Sequence, residues 1–331
     1  MIKIGKRFGW ISVSALAMFF AVRSTCVAVP TAADAFTALG PAGPSHWQVL
    51  EVGTGTITEQ VDLSNPQGGI TGNVGIQKNG KLQDSGPIIH GDLYLGDNAQ
   101  ASFSGSATVT GKVHLGNGAK VTPNSLTQVH DNPQPLLDAA RTAAINASAT
   151  AALVPATSTR TSINLSHTTL NLSAGVYNLK DFILDHTKLT LTGKATDYFI
   201  FNISNPNINS LKNGTFKLSS GKIVLAGGIS ESHVLFNYMG TKDVAFSGGG
   251  NDSVLHGIIL ALNANVNLAP GLVVGEIISG KNISIVSGAQ IKPPSVPDSG
   301  STLTLGLIGF GILATGYVRA RRFPIFQQAR N

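Results

Sequence analysis

A degenerate repeat constrains the fold of this chain more than any other feature. Gly72, Gly91 and Gly111 open three successive segments of nearly equal length. Each segment reads as a glycine, a polar residue and a short apolar run, followed by a turn rich in Asn and Gly. Gly257 and Gly275 repeat the pattern at almost the same spacing. Repeats near this period with alternating Val, Ile and Leu are typical of β-solenoid coils.

We therefore predict a mostly β fold, a parallel β-solenoid (β-helix) over residues 36–295. In such coils alternate side chains point into a narrow core, where Val, Ile, Leu and Ala fit. Asn and Gly accept the left-handed conformations of tight corners. Hydrogen bonds between coils stabilise such a domain without disulfides, and Cys26 is the one cysteine of the chain. Because the repeat weakens between residues 150 and 255, an antiparallel β-sandwich stays open as an alternative.

One Ala-rich segment breaks the β pattern. Residues 134–153 place Leu137, Ala140 and Ala144 at helical spacing, and Pro155 ends the run. The small apolar side chains of this stripe would allow close packing against a flat sheet. We predict a single α-helix that packs along the solenoid.

Residues 1–28 have the pattern of a secretory signal peptide. A basic start precedes the apolar run ISVSALAMFFAV, and small residues follow. Cleavage after Ala28, or as late as Ala35, fits a small-x-small rule. An uncleaved N-terminal anchor is the alternative, which the shortness of the apolar run disfavours.

A second apolar stretch lies near the C-terminus. Residues 301–318 contain no charged side chain, and Arg319, Arg321 and Arg322 follow almost directly. This length suffices for a transmembrane helix. Because arginines beside a span stay on the cytoplasmic side, we expect the body of the chain to face outward, attached to the membrane through this helix.

A short motif precedes the apolar stretch. It consists of Val296, Pro297, Asp298, Ser299 and Gly300. The order of motif, apolar helix and arginines, over residues 296–331, resembles the C-terminal sorting signal of the PEP-CTERM class in its VPDSG variant. The resemblance implies that an exosortase-like membrane enzyme processes the tail. It also implies an exopolysaccharide-producing bacterium.

The excess of positive charge lies in the two ends of the chain. The formal net charge is +6, but residues 29–300 carry 15 basic and 17 acidic side chains. This near-neutral body has no basic stripe, so the sequence disfavours nucleic acid as a partner.

The β-rich segments after the predicted helix resemble two related families. The stretch VLFNYMGTKDVAFSGGGNDSVLHGIILALNANVNLAPGLVVGEIISG is similar to the end of the choice-of-anchor A domain of bacterial surface proteins. LSAGVYNL and LTLTGKATDYFIFNI, with the helix before them, resemble the ice-binding-like adhesin domain. Together these resemblances cover residues 45–292, and they imply a solenoid on a surface protein.

No pattern predicts a catalytic site, a metal site or a cofactor. The eight histidines form no His-x-His or His-Glu-x-x-His pair. Asp181 and Asp185 lie about 13 Å apart if they share a strand at ~3.3 Å per residue. That separation is longer than the carboxylate pair of either glycosidase class. An enzyme acting on polysaccharide is therefore the weakest of the functions considered.

An ice-binding surface requires a broad flat array of small side chains. The candidates in this sequence are Thr168, Thr187, Thr190 and Thr192. Alternation places Thr190 and Thr192 on the same face of one strand. Thr is also favoured in strands for reasons of packing alone.

These features predict a non-catalytic exported protein of the cell surface or extracellular matrix. We expect a structural or adhesive role in an exopolysaccharide-associated envelope, with extracellular polysaccharide as a partner. Ice binding is the alternative function, with ice as the partner, and a β-helix enzyme is the lesser alternative.

Overall fold

The part of the chain that the computed structural model describes comprises residues 28–53, 56–59, 68–123, 125–248, 252–286 and 288–294. The predicted leader up to residue 27, the VPDSG motif, the apolar stretch and the three arginines lie outside the described residues. Within those ranges, no helix has the length and hydropathy needed to span a membrane.

Two α-helices and 27 strands make up the described residues, together with three short 3₁₀ turns. The helices are α1 (Ala32–Leu39) and α2 (Gln134–Leu153). The strands are β1 (Val49–Glu51), β2 (Thr56–Glu59), β3 (Gly69–Thr71), β4 (Val74–Ile76), β5 (Lys81–Asp84), β6 (Ile88–His90), β7 (Leu93–Leu95), β8 (Gln100–Phe103), β9 (Thr108–Val109), β10 (Val113–Leu115), β11 (Lys120–Thr122), β12 (Gln128–Val129), β13 (Ile163–Ser166), β14 (Thr169–Ser173), β15 (Gly175–Leu179), β16 (Phe182–Asp185), β17 (Lys188–Thr192), β18 (Phe199–Ile203), β19 (Phe216–Ser219), β20 (Lys222–Ala226), β21 (Val234–Tyr238), β22 (Val244–Ser247), β23 (Val254–Ala261), β24 (Val266–Ala269), β25 (Leu272–Ser279), β26 (Ile283–Ile285) and β27 (Gln290–Lys292).

Parallel pairing between successive coils builds a three-sided solenoid. The open face consists of ten strands in the order β11, β8, β5, β2, β26, β24, β22, β19, β16 and β13. The helix face consists of β1, β4, β7, β10, β12, β15, β18, β21 and the second halves of β23 and β25. The third face consists of β3, β6, β9, β14, β17, β20, β27 and the first halves of β23 and β25. The prediction of a parallel β-solenoid is confirmed.

The repeated glycines lie at one corner of this solenoid, between the third face and the helix face. A side chain on Gly91 would overlap the carbonyl group of Gly72, and one on Gly111 would overlap that of Gly91. Gly257 and Gly275 are paired in the same way on β23 and β25, each with a φ of 142°. The repeat in the sequence therefore records a corner where successive coils approach too closely for a Cβ atom.

The order of the coils along the chain differs from their order in the stack. The chain begins in the middle of the stack with β1 and builds coils outward to β11 and β12. It then crosses to the opposite end through α2 and builds coils back from β13 to β27. At 1.5 Å per residue, a helix of 20 residues covers about 30 Å of this return.

The first coil and the last coil meet at a seam that crosses all three faces. β1 pairs with β25, with Val49 opposite Ile277. β2 pairs with β26, and β3 pairs with β27. Because the two halves of the chain have no covalent link at this level, these parallel pairings join the halves into one stack.

The helix α2 is held at both of its ends by buried amide side chains. At its start, Gln134 donates to Gln77 (2.5 Å) and accepts from the backbone N–H of Asp97 (2.7 Å). At its end, the carbonyl of Ala151 accepts from Asn202 (2.7 Å). The carbonyls of the last turn lack their usual partners within a helix; the Ala151 carbonyl also accepts from the backbone N–H of Val154 (3.3 Å), and Asn202 supplies the shorter of its two bonds.

A ladder of three asparagines on the helix face continues this second anchor. Asn178, Asn202 and Asn237 occupy the same register on β15, β18 and β21. Asn237 donates to Asn202 (2.9 Å), and Asn202 donates to Asn178 (3.1 Å). Asn237 and Ser148 of α2 also exchange two hydrogen bonds, of 2.7 and 3.0 Å. The ladder fixes both the position and the rotation of α2.

The helix α1 corrects the prediction of a single packed helix. Thr31 and Asp34 form a capping box at its start, and Ala35 and Leu39 are buried against the apolar cluster beneath α2. The described packing thus includes residues that precede residue 36, the predicted start of the solenoid domain. The small residues of this short helix also fit the pattern of a cleavage site, which is why the sequence alone does not reveal it. Cleavage after Ala35 would divide α1.

The solenoid core differs between its two halves. Aromatic rings fill the half that follows α2, where Phe201 lies 4.9 Å from Phe236 and 5.4 Å from Phe182, between ring centroids. The half before α2 is filled by aliphatic side chains such as Leu82 and Leu93.

Removing the central amide of the asparagine ladder should destabilise the protein. Asn202→Ala leaves the Ala151 carbonyl and its two neighbouring amides short of partners in a buried site, which costs about 1–3 kcal/mol. Urea denaturation followed by circular dichroism measures this loss. Asn117→Ala, at an exposed corner, is the control and should change the free energy of unfolding by less than about 0.5 kcal/mol. Equal effects of the two substitutions would contradict the anchoring role.

A buried carboxyl group lies beside the seam. Glu276 on β25 is fully buried, and neither of its carboxyl oxygens has a hydrogen-bond partner within the described residues. Burial raises the pKa of Glu276 well above its ordinary value of 4.5. The folded protein therefore keeps this proton at pH values at which the unfolded chain loses it.

The stability of the protein should consequently fall as the pH rises above about 4.5, because the unfolded state then binds fewer protons than the folded state. Glu276→Gln is neutral at every pH and should flatten this part of the profile, with a gain in stability that is largest at neutral pH. Denaturation midpoints at several pH values measure the effect. Asn117→Ala, which removes no ionisable group, should leave the slope unchanged. A Glu276→Gln profile parallel to that of the unsubstituted protein would refute the assignment.

Candidate functional site

The helices cover one of the three faces of the solenoid and leave the open face and the third face uncovered. The outward side chains of the helix face, such as Leu50, Ile200 and Leu235, are buried beneath α1 and α2. The third face presents side chains of mixed size, from Ser173 to Val224 and His256. The open face has no described helix upon it, and its ten parallel strands form a continuous surface.

Alternation along four strands of the open face produces a patch of short side chains. In β22, Val244 and Phe246 are buried whereas Ala245 and Ser247 are partly exposed. The same alternation holds in β19, β24 and β26. We call the following six residues the central patch: Ser219, Ala245, Ser247, Asn267, Ala269 and Ser284.

The register aligns the central patch into two rows across the strands. One row runs from Ala245 through Asn267 to Ser284, and the other runs through Ser219, Ser247 and Ala269. Neighbouring strands lie about 4.8 Å apart, and alternate residues lie about 6.6 Å apart along a strand. None of the six side chains is charged, so the patch is a regular, neutral grid.

Asp243 holds one edge of this grid in place. Its two carboxylate oxygens accept hydrogen bonds from the amides of Asn265 (2.9 Å) and Asn267 (3.0 Å). Asn265 in turn accepts from the backbone N–H of Asn282 (3.2 Å). Three successive coils are thereby linked at this corner, which restricts the rotamer of Asn267 within the patch.

Charged residues bound the central patch. Lys217 lies next to Ala245 in the same row and is exposed. Toward β11, Lys81 and Lys120 line a groove of about 320 Å³ together with Gln83. Charged side chains therefore lie on both sides of the central patch.

The four threonines predicted as ice-contacting residues do not form one array. Thr187 is buried, with 3% of its surface exposed, and donates to the Asp185 carbonyl (2.9 Å). Thr168 lies at the corner between β13 and β14. Thr190 and Thr192 share the outer side of β17 on the third face, as alternation predicted. Their neighbours in register are Asn171 and Ser173 on β14, and Val224 and Ala226 on β20.

A stacked pair of imidazoles occupies the corner beside Thr168 and Thr187. The rings of His167 and His186 lie 4.9 Å apart and nearly parallel. Asp185 bonds to His186 (2.9 Å) and accepts from Ser166 (3.0 Å), and these two hydrogen bonds lower its pKa. The Asp185 carboxylate thus forms hydrogen bonds to residues of this corner.

The other carboxylate considered for catalysis also has a structural contact. Asp181 accepts from the backbone N–H of Thr215 (2.9 Å), which links neighbouring coils. Within the described ranges, His, Cys, Asp and Glu side chains form no group of three that could hold a metal ion.

The sequence contains a pattern that indicates the central patch, and the search for rows of threonine did not detect it. In VAFS, VNLA and ISI, small residues alternate with large apolar ones, directly after Asn- or Asp-containing corners. Alternation gives the outward positions of each strand. The sequence of each strand does not show how the strands align with one another. Their register follows from the three-dimensional coil, because the strands are separated along the chain.

Comparison with family models identifies this solenoid. Residues 56–292 match the model described as ice-binding-like. The chain belongs to the ice-binding-like family. The predicted resemblance to that domain is confirmed, and the resemblance to the choice-of-anchor A domain stays a prediction.

Solved structures of ice-binding proteins are similar to this ice-binding-like chain at low sequence identity. The ice-binding protein of the Antarctic ascomycete Antarctomyces psychrotrophicus is 16% identical, with a TM-score of 0.44. The match covers 77% of this chain and 96% of the chain of that protein. The DUF3494 domain of Shewanella frigidimarina ice-binding protein_1 is 15% identical, with a TM-score of 0.44, and covers 78% and 97%. A glycosylated ice-binding protein from an Arctic yeast is 17% identical, with a TM-score of 0.43, and covers 79% and 95%. No curated protein gives a significant match.

A second family model matches the C-terminal region. Residues 295–321 match the VPDSG-CTERM motif, which agrees with the sorting signal expected from the sequence. This motif supports an exported, surface-associated protein.

Proposed function

We propose that this exported protein binds ice through the central patch of the open face. The observation that carries the proposal is the neutral grid of short side chains, which stands on a rigid stack of parallel strands. The spacing of about 4.8 Å between neighbouring strands is of the same order as the repeat of an ice lattice. A flat surface of this kind can order water in register with a crystal face without first rearranging its own side chains.

Three further features support the assignment of ice binding to this face. The family membership favours ice as the ligand over polysaccharide. The helices cover the helix face, and the short side chains of the third face are bordered by the exposed Lys188 and Lys222. The bonds from Asp243 to Asn265 and Asn267 hold the edge of the patch in one conformation, so little conformational entropy is lost on contact.

A bulky side chain in the grid should abolish most of the ice activity. Ser247→Tyr raises a ring above the plane of the patch and separates its neighbours from a flat crystal face. We expect thermal hysteresis and inhibition of ice recrystallisation to fall several-fold, while the denaturation midpoint stays close to that of the unsubstituted protein.

Thr190→Tyr on the third face is the matched control, since Thr190 is also an outward, partly exposed strand residue. It should keep full ice activity. If Thr190→Tyr removes the activity and Ser247→Tyr does not, the ice surface lies on the third face. If the unsubstituted protein shows neither hysteresis nor inhibition of recrystallisation, ice binding itself is refuted.

We further propose that the VPDSG motif delivers this domain to the cell surface. A membrane sorting enzyme would process the chain near residues 296–300, with Arg319, Arg321 and Arg322 fixing the orientation of the apolar stretch 301–318. Intact-mass measurement of surface-released protein tests the processing. The adhesive or structural role expected from the sequence stays a prediction.

A further inference from the structure

Among the described strands, the β13 end of the solenoid leaves two edges without a partner. β13 is the last strand of the open face and pairs with β16 alone. β14 pairs with β17 on one side, and no registered partner for its other edge occurs among the described residues. The strand β15 at the same end is different, because Thr157 accepts from and donates to Val176 (2.8 and 3.0 Å). At this end the outer edge of the helix face is therefore hydrogen-bonded. The outer edges of the open face and of the third face have no hydrogen-bonded strand among the described residues.

The backbone groups at the open edges follow from the bonds on the paired side. Ile163 and His167 donate to the carbonyls of Asp181 and Asp185. Because consecutive residues of a paired strand direct their peptide groups to opposite edges, the groups of Asn164 point away from β16. By the same reasoning, the groups of Asn171 point away from β17, since Thr168 accepts from Lys188. These edges present donors and acceptors to any strand that approaches.

The sequence at this end lacks the features that normally protect an edge. Residues 161–179 contain no Asp, Glu, Lys, Arg or Pro. Exposed edge strands are usually guarded by lysine, proline or a bulge. The opposite end of the open face has two of these guards, because β11 contains Lys120 and is followed directly by Pro123.

We propose that the β13 end pairs with the same end of a second copy of this chain. The uncharged edge meets itself without like-charge repulsion, which favours a self-complementary contact. Head-to-tail stacking would instead bring the β13 end against Lys120 and Pro123 of the guarded end. The product is therefore a closed two-fold dimer with antiparallel edge pairing, and not an open filament. This assembly is independent of ice binding.

Light scattering of the purified full chain tests the dimer at micromolar concentration. The double substitution Asn164→Lys and Asn171→Lys adds a charge to each open edge, and we expect the molar mass of the protein to fall by half. Gln83→Lys with Gln100→Lys is the matched control, since both are exposed on β5 and β8 away from this end. The control should remain dimeric.

Site-specific crosslinking separates this contact from association through the apolar residues 301–318. In a Cys26→Ser background the chain has no cysteine, so Asn171→Cys introduces one thiol at the open edge. The two-fold axis places the β14 edge of one copy against the β13 edge of the other, so mild oxidation should link an Asn171→Cys chain to an Asn164→Cys chain mixed with it, and should link no Lys120→Cys chains at the guarded end. A monomeric unsubstituted chain, a double-lysine variant that keeps the dimer mass, or preferential linking through Lys120→Cys would each overturn the proposal.

Discussion

The parallel pairing of the first coil with the last coil is the interaction on which the rest of this structure depends. Each half of the solenoid would otherwise expose three unpaired strand edges in the middle of the stack. The bonds at the seam are ordinary backbone hydrogen bonds, such as that from Ile277 to Gln48 (2.9 Å). Their number across three faces, and the apolar core that continues through them, make two separate segments of the chain into one domain.

The helix α2 also joins the two halves of the solenoid. The helix α2 is the covalent link between the far ends of the two halves, and its buried amide anchors lie on both halves. Gln134 bonds to the coils before the helix, and Asn202 and Ser148 join it to the coils after it. In covering the helix face, α1 and α2 leave the open face and the third face available to a ligand.

The repeat, the solenoid and α2 could be predicted because each depends on local sequence. Glycine corners recur wherever coils crowd one another, and an Ala stripe at helical spacing marks a helix that packs closely. The seam could not be predicted, because it depends on which coil meets which and not on a pattern within one coil. The threonine candidates failed to form an array for the same reason: Thr187 turns inward at a corner, whereas the aligned Ser247 and Ala269 come from different coils.

Native-state hydrogen exchange, read peptide by peptide, tests the central role of the seam most directly. If the first and last coils complete a single cooperative unit, amides of β1 and β25 exchange as slowly as those of interior strands such as β18 and β7. Both halves then lose protection together as denaturant is added. Fast exchange confined to β1, β2, β26 and β27, or separate unfolding of the two halves, would contradict the account.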